Sequence, residues 1–169
     1  MSDPLLQELL DRVKNRFYGK YRGVVTDVDA STMRIKASVP SVLPNVGTGW
    51  AMPCVPYAGS QVGMIMLPEV GTGVWIEFEG GDVSYPIWVG MYWHSDEIPS
   101  DASATVKSII TSAGSIAMDD DEGSITLTDA QQNTVVLDSD GVTNTSGSSS
   151  VAVGASGVNV NDGAFEVTP

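Results

Sequence analysis

From residue 105 onward the sequence offers apolar side chains in pairs two residues apart, and almost nothing larger. The pairs are Ile116/Met118, Ile125/Leu127, Val135/Leu137, Val151/Val153, Val158/Val160 and Phe165/Val167, separated by turns rich in Gly, Asp, Asn and Ser. Apolar residues at period two mark strands with one apolar face, and their repetition means stacked strands rather than a globule. The steps are 9 and 10 residues at first and settle to 7. A solenoid built from one chain needs roughly 18 or more residues per turn to enclose a core, so steps this short cannot circle an axis alone. Three chains, each giving one strand per level, can close a ring around a narrow shared core and leave no free strand edges. A lone copy of this segment buries too little to offset its ordering entropy. The expectation is an obligate, intertwined homotrimer. Its core would be Ile116, Met118, Ile125, Leu127, Val135, Leu137, Val151, Val153, Val158 and Val160. The alternative is a loose β-meander folded back on the rest of the chain.

The composition changes near Pro99. Of the chain's 12 aromatic residues only Phe165 lies beyond residue 100, and residues 101–169 carry ten acidic residues against one basic one, Lys107. The first part can bury a core and the second has little to bury. These shifts divide the 169 residues into an N-terminal helix (1–19), a β domain (20–97), a linker (98–104, overlapping the stretch Glu97–Ser103 rich in Pro, Ser and Asp) and a stacked-strand repeat (105–169). Leu5, Leu6, Leu9, Leu10, Val13 and Phe17 recur at helical spacing over residues 4–17, with Asp3 as N-cap and Pro4 in the first turn. That helix either docks on its own domain or packs on a neighbouring protein.

Strands are expected at Lys20–Val28, Thr32–Val39, Val62–Leu67, Val74–Glu79 and Ile87–Trp93, with a tight turn at Gly80-Gly81. Met33, Ile35, Ala37 and Val39 share a face, as do Val74, Ile76 and Phe78. Five strands in about 75 residues without helices suit a five-stranded OB-type barrel. The fold class is therefore all-β: a helix, an OB barrel and a trimeric β-helix or β-prism.

Charge narrows the functions. The net charge of −13 is the wrong sign for a protein that tracks phosphates, so neither nucleic acid nor an anionic membrane is an expected partner. One cysteine (Cys54) and one histidine (His94) allow no intrachain disulfide and too few ligands for a zinc site. No run of about 18 apolar residues and no signal-peptide pattern is visible, and folding in a cytoplasm is expected. Asp119-Asp120-Asp121-Glu122 lacks the spacing of a calcium loop and suits a solvated turn better than a hard-cation site. Glu77 and Glu79 share a strand face as paired carboxylates would, but solvent exposure or a subunit contact suits them better than acid–base work. Cys54 is expected as a small buried residue. Arg22, Arg34 and Lys36 are too dispersed for a nucleic-acid face. Trp50, Trp75, Trp88 and Trp93 suit core and interface roles better than sugar stacking. No catalytic motif appears, so no catalytic residue, cofactor or metal is expected.

Four stretches then carry a resemblance. YRGVVTDVDASTMRIKASVPSV (Tyr21–Val42), GWAMPCVPYAG (Gly49–Gly59) and LPEVGTGVWIEFEGGDVSYPIWVGMYW (Leu67–Trp93) resemble the OB domain of contractile-tail spike proteins. SIAMDDDEGSITLTDAQQNTVVLDSDGVT (Ser115–Thr143) is similar to the start of that family's β-helix. The family is the phage baseplate assembly protein V, or central spike, group, found also in extracellular contractile injection systems and related to type VI secretion spikes. The resemblance implies a structural, non-enzymatic homotrimer beneath the baseplate hub. Sheath contraction would drive it through the target envelope, which it meets only transiently. Some relatives insert a lysozyme domain, for which the linker here has no room. Others fuse hub domains ahead of the barrel. With about 19 residues there, a separate hub protein is expected, contacted by Leu5, Leu9 and Val13. The ending at Phe165, Val167 and Thr168 is expected to be the platform for a PAAR-type tip protein, with no tip metal on this chain. The location implied is a virion tail baseplate or injection particle assembled in the bacterial cytoplasm. The rivals are an OB module that binds oligosaccharide or nucleic acid on a trimerising stalk, and a cell-wall hydrolase carried on a spike.

Overall fold

Alternation along the strands decides what the first unit buries. The computed structural model describes residues 4–168, except the side chains of Asp11 and Arg12. It divides the chain into two units, one ending at Ile98 and the other starting at Pro99.

The first unit opens with helix α1 (Pro4–Lys14); the expected cap Asp3 lies outside the described residues. The helix stops three residues before Phe17. There the Phe17 N–H donates to Gly81 O at 2.8 Å, and its ring packs edge-on against Tyr21 and Phe78. Phe17 thus belongs to the barrel and not to the helix. The strands that follow are β1 (Tyr21–Asp29), β2 (Arg34–Ser38), β3 (Met52–Pro53), β4 (Ala58–Gly59), β5 (Val62–Gly63), β6 (Gly73–Phe78) and β7 (Pro86–Tyr92).

Five of them form one sheet in the order β2-β1-β6-β7-β3. The sheet closes because Ala51, just before β3, bridges back to Ile35 on β2, with the Ala51 N–H donating to Ile35 O at 2.7 Å. The result is the small closed barrel expected of an OB-type domain. Its core is Val25, Ile35, Ala37, Val39, Ala51, Val74, Ile76, Phe78 and Trp88. The one buried polar residue among those described, Thr48, accepts the Ala37 N–H on Oγ1 at 3.0 Å, so its hydroxyl is satisfied. Each large aliphatic side chain here contributes roughly 1.5–3 kcal/mol by burial.

Two expectations change. Val62–Leu67 is not a barrel strand: only Val62–Gly63 is extended, and it pairs with Ala58–Gly59 in a separate hairpin. The fifth barrel strand is instead Met52–Pro53, which runs parallel to β7. The Gly80-Gly81 link is a 3-10 turn over Glu79–Gly81, and the chain runs on to Pro86 before pairing again. The Ser84 N–H donates to Asp82 Oδ1 at 3.0 Å and the Arg16 guanidinium stands 3.0 Å from Oδ2. Together they hold the Asp82 carboxyl below the usual carboxylate range.

Gly73 leaves no room for a side chain beside Tyr92. A Cβ there would stand 2.7 Å from the Tyr92 ring and 2.8 Å from Tyr92 O. Gly73→Ala is expected to destabilise the barrel by about 2 kcal/mol or more, read as a lower midpoint in denaturant. An unchanged midpoint would show that Tyr92 moves aside freely.

The second unit is one eight-stranded antiparallel sheet: β8 (Val106–Thr111), β9 (Gly114–Asp119), β10 (Ser124–Asp129), β11 (Thr134–Asp138), β12 (Gly141–Ser146), β13 (Ser149–Gly154), β14 (Gly157–Val160) and β15 (Phe165–Val167). Its strands lie in sequence order, each joined to the next by a short turn.

Candidate functional site

Register turns the apolar pairs of the second unit into two continuous columns. Across β8 to β15, the directly opposed residues of one column are Lys107, Met118, Ile125, Leu137, Val142, Val153, Val158 and Val167. The adjacent column is Ile109, Ile116, Leu127, Val135, Asn144, Val151, Val160 and Phe165. Both columns lie on one face, because their members alternate with the intervening residues along every strand. The opposite face is small and polar, with Ala117, Thr126, Val136, Thr143, Ala152 and Asn159 in one opposed row.

No described residue of this unit is buried. Ile116, Met118, Ile125, Leu127, Leu137, Val142, Val151 and Val153 are all between 36% and 47% exposed. A sheet with one apolar face must cover it against another layer, and the described residues of this unit form no second layer. The face is therefore a candidate assembly surface, long and apolar beyond what a lone soluble chain ordinarily shows.

All ten residues expected in a trimer core lie in these columns. Sequence reasoning missed Ile109, Val142 and Asn144. Val142 was hidden because the residue two further on is Asn144, so no apolar pair marked that strand. Phe165 and Val167, expected as a tip platform, end the two columns on β15 and are 62% and 49% exposed.

Three of the acidic residues shape the turns. Asp119, Asp129 and Asp138 each end a strand, and each turns its Oδ1 back to accept backbone N–H groups of the turn that follows. This is the Asx-turn geometry that lets a short link reverse the chain. The Asn133 side chain and backbone N–H groups hold the Asp129 carboxyl below its usual range. In the barrel, the Ser31 and Thr32 hydroxyls do the same for Asp29 at the β1–β2 turn.

In the run 119–122, Asp119 is a turn acceptor and Asp120 pairs with Lys107. No group of three or more His, Cys, Asp or Glu side chains that could hold a metal occurs among the described residues. Glu77 faces Lys20 at 2.5 Å, while Glu79 lies in the 3-10 turn. Cys54 is exposed, not buried: its N–H donates to Trp88 O at the barrel's closing strand, and that pairing leaves the thiol outside the core. Arg22 lies over the Trp75 and Tyr92 rings at 5.6 and 6.0 Å, and Lys36 over Trp50 at 4.7 Å. Arg34 lines a shallow cleft with Trp50 and Tyr85. Of the four tryptophans only Trp88 is in the core; Trp50 and Trp93 are exposed. On α1, Leu5, Leu6, Leu9, Leu10 and Val13 are all exposed among the described residues. No helix among the described residues is long and apolar enough to cross a membrane.

Comparison with known families agrees with this division. Residues 21–93 match the model described as the type VI secretion system/phage-baseplate injector OB domain. Residues 108–166 match the phage baseplate V C-terminal trimerisation domain. Between them the two matches span more than three quarters of the chain. No curated protein matches it.

Proposed function

Because the chain belongs to the phage baseplate V family, whose injector OB and trimerisation domains it carries in order, we propose that it is the homotrimeric central spike of a contractile phage tail or contractile injection system. The observation that carries this reading is the two-column apolar face, which runs across all eight strands of the second unit with no residue of it buried. Three such faces turned inward cover one another and leave the small polar faces to water. The member domains are structural components, and the role proposed is mechanical rather than enzymatic.

The mechanism rests on stiffness. Within each chain every strand of the second unit is hydrogen-bonded to the next, so the shaft has no loosely tied segment along its length. Sheath contraction supplies the work, and the shaft transmits it to the target envelope. The exposed Leu5, Leu9 and Val13 stripe on α1 serves as the contact with a separate hub protein. Phe165, Val167 and Thr168, on and beside the last strand of the sheet, serve as the platform for a PAAR-type tip protein. Assembly takes place in the bacterial cytoplasm, at the baseplate.

Two measurements test the reading together. Native mass spectrometry should give three chains of 17.8 kDa, about 53 kDa in all. Gold-labelled antibody against this chain should mark the baseplate end of sheathed particles. A stable single chain, or label distributed along the sheath, would overturn it.

A further inference from the structure

Asn144 is the one polar residue inside the column that runs from Ile109 to Phe165, with Val135 and Val151 directly opposite it on the neighbouring strands. The other asparagines of this unit are engaged. Asn133 donates to Asp129 Oδ2 at 2.7 Å, Asn159 Oδ1 accepts the Gly163 N–H at 2.9 Å, and Asn161 Oδ1 accepts the Ser150 N–H at 2.8 Å. The Asn144 carboxamide has no hydrogen-bond partner among the described residues, and it is exposed in the single chain. Lys107, the other polar member of the columns, sits at the β8 end and is tied to Asp120.

The apolar face otherwise has almost no landmark along its length. From β11 to β14 it presents Val and Leu at level after level, so a second copy could slide by one hairpin and still set valine against valine. That slide is two strand spacings, roughly 10 Å. We propose that Asn144 fixes the axial register of the homotrimer: three Asn144 carboxamides meet at one level of the shared core and hydrogen-bond to one another in a closed ring. This rests on the homotrimeric reading above.

The chemistry suits a threefold ring. Each carboxamide carries an NH2 donor and a carbonyl acceptor, so the Nδ2–H of one donates to Oδ1 of the next around the axis. In a slipped trimer each Asn144 faces Leu127 or Val160 of its neighbours, with its amide dehydrated and unpaired. Leaving buried polar groups unpaired is costly, and here the cost falls on three groups at once. A single buried asparagine sets the register of coiled coils by the same logic, giving up stability for one arrangement.

The test uses the full chain with C54S and a spin label at S148C, an exposed turn position. Native mass is recorded first, then label-to-label distances by pulsed dipolar spectroscopy. The parent should give three chains and one distance. N144V should remain trimeric, melt at a higher temperature, and add a second, longer distance. Moving the asparagine by one strand, N144V/V151N, should restore a single distance. A parent mass of one chain overturns the homotrimer and the register device with it. A trimeric N144V with the same single distance overturns the register device alone.

Discussion

Leu127→Asp is expected to convert the protein from three chains to one. Leu127 stands in mid-column between Ile116 and Val135 and is 41% exposed in the single chain. In that state an aspartate costs little, because water reaches it. In the closed trimer three carboxylates would face one another across an apolar core. Taking each from water costs several kcal/mol, and their mutual repulsion adds to it. The control is Thr126→Asp, one residue away on the opposite face, where Thr126 opposes Ala117 and Val136. Light scattering should show a single-chain mass for L127D and an unchanged assembly for T126D. A trimeric L127D would mean that the apolar columns do not face the axis. A dissociated T126D would mean that the sheet is turned the other way.

Gly141→Ala is expected to be among the most damaging single methyl groups in the second unit. Gly141 opens β12 at φ +136, and a Cβ there would collide with the Val153 carbonyl oxygen on the adjoining strand. The clash is with backbone in a paired ladder, so no rotamer relieves it. Strands β12 and β13 must separate or slip, and a slip moves Val142 and Val153 out of the columns. The loss is about 3 kcal/mol or more per chain, enough to lower the melting temperature by more than roughly 10 °C. Gly157 and Gly114 stand in the same position against Val167 O and Thr128 O and should behave alike. Gly147 gives the contrast. It has φ +58 with nothing within 4 Å of a built Cβ, so Gly147→Ala should cost only about 1 kcal/mol of backbone strain. Equal melting temperatures for G141A and G147A would remove the close approach as the cause.

Much of this was legible because strands carry their burial pattern in the chain itself. Ile35, Ala37 and Val39 alternate with Arg34, Lys36 and Ser38, and the structure buries the first set completely. The apolar pairs beyond residue 105 likewise identify one face of a repeated sheet without any knowledge of neighbours. The want of large side chains there favours cover by further copies of the chain over a meander folded back on it. Period-two patterning is local, and so is the turn chemistry of Asp119, Asp129 and Asp138.

What tertiary structure decided is everything that depends on which strand finds which. Val62–Leu67 has as good a strand composition as Met52–Pro53, yet the barrel closes through the latter. Ala51 reaches the free edge at Ile35 while Met52 reaches Ile87, and edge pairing is settled by geometry between distant segments. Cys54 follows from that choice, since the strand that closes the ring leaves its thiol outside. The alignment of Asn144 with Val135 and Val151 is likewise set by turn lengths accumulated over successive hairpins. A residue's own neighbours in sequence say which face it is on; only the register says whom it meets there.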